Sequence, residues 1–478
     1  MERDRDRHAS GPRPRAPPRR CARCRARPVR AGAMSTASGY LGKFVWTAGT
    51  FVVSAGLKFG LNIVLAYLLA PEILGVMVVV NAIRLGVELL TDVGIEQNII
   101  HHRDGLDRQF RDTAWTLQLL RGVLLSLVFL IAAPFLAHAY GIDVRIFLVA
   151  ALSPMIGGAH STAIFVLVKQ MEVRRRNLFE LSCEALAFAV QVALAAWLRS
   201  VWAPVIGLVL AVAIRSALSY LLPDPGQRLR FDREIVRRII HFGKWIAITS
   251  LVMYAATNLD RLYLGRVAPL ALLGIYGIAR AIAELPTTLA RRMSYQIIFP
   301  ALASVSEGDR AGQMAAIAGS RAVFTFGVCA ALALAASVAD GLILVIYDPR
   351  YQAASWMLSV LLGGAVFAVL SNLNEALLLS AGRPFYASVA NMMRLATLAV
   401  LLPTGHRLAG FPGAVVAVAV TELLQYGYIA VGLHRVRMSF WRQDALAIGA
   451  ACAVFAVMLA ARWQLGFGSP LAGLGRIG

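Results

Sequence analysis

The sequence is poor in charged residues for its length. Of its 478 residues, 15% are Asp, Glu, Lys or Arg, 58% are hydrophobic, and the mean hydropathy is +0.66. A soluble protein carries about 25% charged residues because its surface must be hydrated. The shortage of charge therefore excludes a soluble globular chain. Apolar runs of about 20 residues, long enough to cross about 30 Å of hydrocarbon, indicate a membrane protein.

Sequence motifs of the common enzyme classes are also absent. The chain has no Walker A sequence, no HExxH motif, no GxSxG elbow and no EF-hand loop. Its five cysteines are scattered, and the pair Cys21 and Cys24 lacks the second ligand pair that a zinc site requires. No cofactor or metal is expected. Because every predicted loop is short, the chain is predicted to be a transporter and not a membrane polymerase or ligase.

The distribution of the formal net charge of +21 along the chain argues against nucleic acid as a partner. Eleven arginines and three acidic residues give residues 1–33 a net charge of +8. This stretch is interpreted as a basic disordered tail or as a mis-annotated start, with Met34 the true initiator, and the second interpretation is favoured. Most of the remaining charge falls in short loops on one side of the predicted membrane.

Thirteen hydrophobic segments are predicted to be helices, so the expected fold is all-α and polytopic. Residues 34–222 form an N-terminal six-helix bundle, 223–244 a cytoplasmic amphipathic linker, 245–436 a second six-helix bundle, and 437–478 an extra helix and tail. The linker is predicted to lie in the inner headgroup region. Segment 443–462 either spans the membrane or lies on its surface. The segments are 44–69, 73–95, 114–137, 146–169, 179–199, 201–222, 245–266, 268–290, 318–346, 354–380, 385–404, 411–433 and 443–462.

Arginine and lysine are distributed unequally between alternate loops. Loops that share a side with the N-terminus are rich in both, whereas the other loops have only scattered arginines. Because basic residues stay on the cytoplasmic side, the N-terminus is predicted to be cytoplasmic. The basic residues of the internal loops are Arg103, Arg108, Arg111, Lys169, Arg174, Arg175, Arg176, Arg228, Arg230, Arg233, Arg237, Arg238, Lys244, Arg291, Arg292, Arg310, Arg435, Arg437 and Arg442.

Residues around Pro71 recur around Pro269. Asn62 matches Asp260, and Ala70-Pro71 matches Ala268-Pro269 at one constant offset. The pairs Arg84-x-x-x-Glu88 and Arg280-x-x-x-Glu284 recur with a shift of a few residues. Six helices separate the copies, so the two halves are predicted to be parallel repeats related by an axis along the membrane normal.

Ionisable side chains inside the hydrophobic segments are the candidate functional residues, because each costs roughly 2.5–3.5 kcal/mol near the bilayer centre. The arginines would make a cavity between the bundles partly cationic and would bind phosphate bidentately. The carboxylates would couple transport to protons or sodium, or balance the arginines. For the two i,i+4 pairs, simple neutralisation that holds helices together is an open alternative. Predicted substrate-binding residues are Arg84, Arg215, Arg280 and Arg394, and predicted ion-coupling residues are Glu88, Glu284 and Glu375.

The order and spacing of several motifs resemble those of a known family. The turn Leu69-Ala70-Pro71-Glu72-Ile73-Leu74-Gly75 resembles the end of that family's first helix, and NLDRLYLG from Asn258, followed by LGIY from Leu273, is similar to its Asp-Arg…Gly…Gly-Tyr pattern. The motifs FPAL from Phe299 and YDPRY from Tyr347 also match in place. Over roughly Ser35 to Arg435 the chain resembles the oligosaccharide flippases, Wzx-like polysaccharide biosynthesis proteins of the MATE-like exporter superfamily.

This resemblance implies two six-helix bundles in a V, alternately open to either side. It implies a polyprenyl-pyrophosphate-linked oligosaccharide as cargo, moved across the bacterial inner membrane for capsule, O-antigen or exopolysaccharide synthesis. Membrane lipids, a polysaccharide polymerase and glycosyltransferases are the expected partners. One alternative is a cation-coupled multidrug exporter of the same superfamily, which predicts an acidic, aromatic-lined cavity. The lipid-linked peptidoglycan precursor is an alternative cargo.

Overall fold

The structure is a computed structural model that describes residues 33–90, 94–224, 227–294 and 310–471. Every regular element among these residues is a helix, so the all-α prediction is confirmed. The predicted tail up to residue 32, with Cys21 and Cys24, lies outside the described residues, as does the motif that begins at Phe299.

The described helices follow the predicted hydrophobic segments closely. The first half contains α1 (Ala33–Leu68), α2 (Pro71–Leu90), α3 (Ile95–His101), α4 (Arg108–Tyr140), α5 (Val144–Ala150), α6 (Leu152–Gly158), α7 (Ala163–Lys169), α8 (Val173–Leu198) and α9 (Trp202–Ser219). The second half contains α10 (Arg233–Val267), α11 (Leu270–Met293), α12 (Arg310–Ser337), α13 (Ala339–Ile346), α14 (Ala354–Ser380), α15 (Pro384–Val436) and α16 (Trp441–Gln464).

Ten helices of the described residues are long and apolar enough to cross a membrane. An eleventh span comes from Val144–Gly158 together with Ala163–Lys169, which are bent by 55° at the break between them. α1 adds a shorter apolar stretch, Val52–Leu68. The predicted segment 318–346 is not one helix, because the chain breaks after Ser337 and continues as α13.

α15 is a hairpin of two antiparallel spans. Ala409 and Gly410 have non-helical dihedral angles, and Gly410 has a φ of 61°, which favours glycine. A Cβ on Gly405 would stand 2.5 Å from the carbonyl oxygen of Gly413, so the two limbs touch through backbone next to the turn. The limbs correspond to the predicted segments 385–404 and 411–433. We name them α15a (residues 384–408) and α15b (residues 411–436).

Residues 233–244 of the predicted linker are part of α10, which runs without interruption across the expected boundary at residue 244. Asp232 begins the helix, because its side chain accepts hydrogen bonds from the backbone N–H groups of Glu234 and Ile235, at 2.9 and 3.3 Å. Ile239 is fully buried in an apolar cluster with Ile99 and other residues of α3 and α4. Around Ile239, the apolar face of the linker is therefore covered by protein of the first half.

The two halves meet where α2 and α11 begin. A Cβ on Gly75 would stand 1.8 Å from the carbonyl oxygen of Leu270, and a Cβ on Gly274 would stand 2.1 Å from that of Pro71. The contact is reciprocal, as expected for two parallel repeats related by an axis between the helices. We name this contact, formed by residues 69–75 and 268–274, the sealed end. We name the opposite end, which carries the arginine-rich loops, the basic end.

The thirteenth predicted segment, α16, is an integral helix of the second half. Arg321 of α12 is completely buried, and its Nη2 atom lies 2.5 Å from Oδ1 of Asp444. Asn374 of α14 donates a hydrogen bond to the same carboxylate at 2.9 Å. Nearer the sealed end, Arg462 pairs with Asp340 of α13 at 2.5 Å. These two ion pairs hold α16 against the helices of the second half.

Candidate functional site

A polar cavity of about 400 Å³ lies inside the second bundle. Its walls are α10, α11, α14, α15a and α15b, and among the described residues that line it, Leu85 of α2 alone comes from the first half. The cavity therefore does not lie between the bundles, where a cationic cavity was expected. The charged side chains that line it are Arg261, Arg280, Arg291, Arg394, Glu284, Glu375 and Glu422.

A buried ion network occupies the deep part of the cavity. Asp260 is 1% exposed and accepts a hydrogen bond from the hydroxyl of Tyr276. Nε of Arg280 lies 3.4 Å from Oδ2 of Asp260 and 3.1 Å from Oε1 of Glu284. Nη2 of Arg261 donates to the same oxygen of Glu284 at 2.7 Å. Two arginines thus share one glutamate, and Asp260 compensates the second positive charge.

A second ion pair joins the two limbs of α15. Arg394 of α15a pairs with Glu422 of α15b, and their side chains are 13% and 7% exposed. The hairpin brings these residues together although 28 positions separate them. The partner of Arg394 is therefore on the neighbouring limb and not on its own.

The cavity as a whole is nearly balanced in charge. Four arginines line it together with three glutamates, and Asp260 lies directly behind Arg280. This cavity therefore carries less net positive charge than expected, because most of its arginines are paired with carboxylates. In the part of the chain that the structure describes, no aromatic side chain lines the cavity, which also differs from the acidic, aromatic-lined cavity expected for a drug exporter.

Three predicted site residues lie outside the cavity. Arg84 and Glu88 form an ion pair along α2, and Arg121 of α4 donates to the backbone carbonyl of Glu88. Arg215 of α9 has a side chain that is 48% exposed, and its Nη2 atom lies 3.5 Å from Oε1 of Glu180. The structure thus brings together Arg280, Arg394, Glu284 and Glu375, but not Arg84, Glu88 and Arg215.

Four charged residues of the site were not predicted. Asp260 and Arg261 belong to the motif NLDRLYLG, and Glu422 interrupts the apolar run of α15b. The same criterion that selects Arg394, a charge within a hydrophobic segment, would have selected all three. Arg291 was assigned to a loop because it is in the last turn of α11, and only the fold shows that it lines the cavity.

Comparison with known proteins relates the chain to polysaccharide synthesis. The model of the polysaccharide biosynthesis protein family matches residues 64–356, more than half of the chain. The teichuronic acid biosynthesis protein TuaB of Bacillus subtilis (strain 168) is 24% identical over 302 residues, which are 62% of each chain. The lipopolysaccharide biosynthesis protein WzxC of Escherichia coli (strain K12) is 23% identical over 275 residues, 55% of this chain and 54% of WzxC. The matches thus span less than two thirds of either relative.

The fold has counterparts among solved structures. The lipid II flippase MurJ, in an inward closed conformation, superposes with a TM-score of 0.69 at 10% sequence identity, over 87% of this chain and 93% of MurJ. At that identity the likeness shows a shared fold. The family match, with the two relatives, shows that this chain belongs to the polysaccharide biosynthesis protein family.

Proposed function

We propose that the chain is a flippase that moves a polyprenyl-pyrophosphate-linked oligosaccharide across the bacterial inner membrane. One observation supports this most directly: arginines 261, 280 and 394 line one membrane-depth cavity. Guanidinium groups stay charged when desolvated and bind phosphate oxygens bidentately. Family membership and the names of the two relatives favour a saccharide cargo.

In this proposal the carboxylates are the partners of the arginines until the pyrophosphate binds. Glu284 contacts both Arg261 and Arg280, and Glu422 contacts Arg394. An incoming pyrophosphate would replace these carboxylates as the partner of the arginines. Glu284 and Glu422 would then be released toward the cavity, where they could take up a proton or a cation. Cargo binding and ion binding would in this way be linked through the same side chains.

The proposed orientation puts the basic end in the cytoplasm, because basic loops are retained on that side. The sealed end then faces the periplasm, and Arg291, an exposed residue in the last turn of α11, lies at the cytoplasmic mouth of the cavity. The conformation described would accept cargo from the leaflet in which it is made. Transfer would require the sealed end to open and the basic end to close.

A binding measurement on the purified protein tests the proposal. We expect polyprenyl pyrophosphate to bind, and polyprenol of the same chain length to bind at least tenfold more weakly, since about 1.4 kcal/mol of charge-assisted hydrogen bonding is tenfold in affinity. Arg280→Ala and Arg394→Ala should each weaken binding of the pyrophosphate and leave that of the polyprenol unchanged. Arg215→Ala is the matched control, because Arg215 lies outside the cavity.

Transport is tested separately in proteoliposomes with a fluorescent polyprenyl-pyrophosphate sugar, by following its appearance in the other leaflet. Arg280→Ala and Arg394→Ala should abolish this transfer. Equal binding of polyprenol and its pyrophosphate would contradict the proposal. Tight binding of hydrophobic organic cations that displace no pyrophosphate would favour the multidrug exporter instead.

A further inference from the structure

The turn between α13 and α14, which contains the sequence YDPRY of residues 347–351, contacts the end of α1. The hydroxyl of Tyr351 donates to the backbone carbonyl of Leu69 at 3.1 Å. Nη2 of Arg350 donates to the backbone carbonyl of Tyr67 at 3.3 Å. The residues joined are 282 and 283 positions apart. The two hydrogen bonds therefore link the second half of the chain to the first at the sealed end.

The acceptors of these bonds lie where α1 ends. Tyr67 is in the last turn of the helix, and Leu69 directly follows it. The final carbonyls of a helix have no N–H partner within the helix, and a cation beside them is favourable. Because water can satisfy the same carbonyls, the contact with the turn can break and form again without leaving a buried polar group unpaired.

The side chain of Leu69 belongs to the first half. It is 1% exposed and packs in an apolar cluster with Ala195 of α8 and Ala203 of α9. Tyr351 is fully buried, and its ring centroid lies 6.2 Å from that of Tyr347 in the second half. If the two halves separate at the sealed end, Leu69 remains with α8 and α9. The hydrogen bond from Tyr351 then has to break.

The turn itself is stabilised by its own residues. The side chain of Asp348 accepts a hydrogen bond from the backbone N–H of Arg350 at 3.0 Å and another from its Nε at 2.9 Å. Pro349, which begins the short 3₁₀ turn, restricts the backbone between them. None of these contacts involves the first half. The turn and the direction of the guanidinium group are therefore preformed and do not depend on α1.

We propose that residues 347–351 form a latch that keeps the sealed end closed. The reciprocal glycine contact of α2 and α11 closes this end by shape. The latch adds two directional hydrogen bonds to α1, and both must break before α1 moves away from the second half. It thereby sets how often the sealed end opens, and the preformed turn can bind α1 again on closing. The latch takes from the proposed function only that this end opens, and it acts in the same way for any cargo.

Cysteine labelling of the purified full-length protein tests the latch without cargo. Val79→Cys, in a chain without other cysteines, places a thiol at a fully buried position against Gly265 of the second half. Its reaction with a maleimide then reports opening of the sealed end. Tyr351→Phe removes one hydrogen bond and should speed labelling about fivefold. Arg350→Gln should speed it about twofold, because the Arg350 side chain is 46% exposed and its interactions are weakened by solvent.

Tyr347→Phe is the matched control, because the hydroxyl of Tyr347 is buried without a hydrogen-bond partner among the described residues. This variant should label at the wild-type rate. A second reporter chain keeps the native Cys329, which is buried in α12, as its single cysteine. Labelling of Cys329 should be the same in all three variants.

Equal labelling rates at position 79 for Tyr351→Phe and Tyr347→Phe would overturn the proposal. Equal acceleration at Cys329 would also overturn it, since Tyr351 would then stabilise the whole fold and not one end. If Tyr351→Phe does not fold, Arg350→Gln on the exposed side of the turn decides in the same way, and a wild-type rate in that variant contradicts the latch. Failure of the cargo-binding experiment would leave these results unchanged.

Discussion

Gly75 of α2 lies directly against the backbone carbonyl of Leu270 in α11, and Gly274 lies in the same way against that of Pro71. Close approach of this kind requires residues without a Cβ, and it is how helices associate in a membrane, where small residues replace the hydrophobic effect as the basis of packing. The sealed end therefore depends on two equivalent glycines, one from each half of the chain.

Gly75→Val should open the sealed end. Overpacking costs about 1–3 kcal/mol, and the population with α2 and α11 apart should rise about 5- to 150-fold for such a cost. A cysteine at the buried position Val79, which packs against Gly265 of the second half, in an otherwise cysteine-free chain, would report this through faster reaction with a membrane-impermeant maleimide. Gly449→Val is the control, because no described atom lies within 4 Å of a Cβ at that glycine. Equal labelling rates in both variants would show that this contact does not close the end.

Breaking the pair of Arg394 and Glu422 should destabilise the α15 hairpin. Either single alanine variant leaves a mostly buried charge without its partner and should cost about 2–3 kcal/mol. The double variant should cost less than the sum of the two singles, because it removes both charges together. Thermal unfolding in detergent measures all three variants. Strict additivity would mean that the two side chains do not interact.

Docking of α16 should depend much more on Asp444 than on Asp340. Asp444→Asn leaves Arg321, whose side chain is fully buried, without a counter-charge, and such a loss costs about 3–5 kcal/mol. Asp340 is 34% exposed, and Arg462 also donates to the backbone carbonyls of Phe467 and Gly468, so it keeps acceptors when Asp340→Asn removes its charged partner. The two variants form a matched pair for thermal unfolding and for proteolysis of the loop at residues 437–440. Equal effects would argue against the buried network as the main anchor.

Docking of the linker should weaken in acid because of His102. Burial, and then the positive charge of His101, lower the pKa of His102 below its ordinary value of 6.5. The docked state therefore disfavours the protonated imidazole, whose ring centroid lies 6.4 Å from that of Phe242 of the linker. As the pH falls below about 6.5, the undocked state takes up the proton first, so docking loses stability; above that pH it is unaffected.

Hydrogen exchange in residues 95–106, compared at pH 7.5 and pH 5.5 after correction for intrinsic rates, measures this effect. His102→Gln should remove the extra exposure in acid. His241→Gln changes an exposed histidine of the linker, and the extra exposure in acid should persist in this variant. Retention of the effect in the His102 variant would assign it to another group.

Much of the fold could be predicted because hydrophobic length is a local property of the sequence. The segments are helices at nearly the predicted places, and Pro71 and Pro269 mark the ends of α1 and α10 in both repeats. The site is harder to predict, because a charged side chain in an apolar run signals only that it needs a partner. Arg215 and Arg394 give the same signal, yet one pairs with Glu180 outside the cavity and the other with Glu422 inside it.

Which charged side chains neutralise one another is the property of the site that is hardest to predict from the sequence. Asp260 and Arg280 are 20 positions apart and on different helices, and their contact depends on how α10 and α11 pack. Counting arginines in hydrophobic segments therefore overstates the positive charge of the cavity. The surroundings of the linker are hard to predict for a similar reason, since an amphipathic face is the same whether lipid or protein covers it.

The unbroken course of α10 has a mechanical consequence. Its 35 residues make a rod of about 52 Å at 1.5 Å per residue. One end carries Asp260 and Arg261 of the cavity, and the other is fastened to α3 and α4 of the first half. Asp260 and Ile239 are about 32 Å apart along this rod, so a tilt of about 10° around the cavity end would displace the fastened part by about 6 Å. The second bundle can rotate by that amount only if the contact of Ile239 with α3 and α4 shifts or breaks. The helix therefore couples the movements of the two halves.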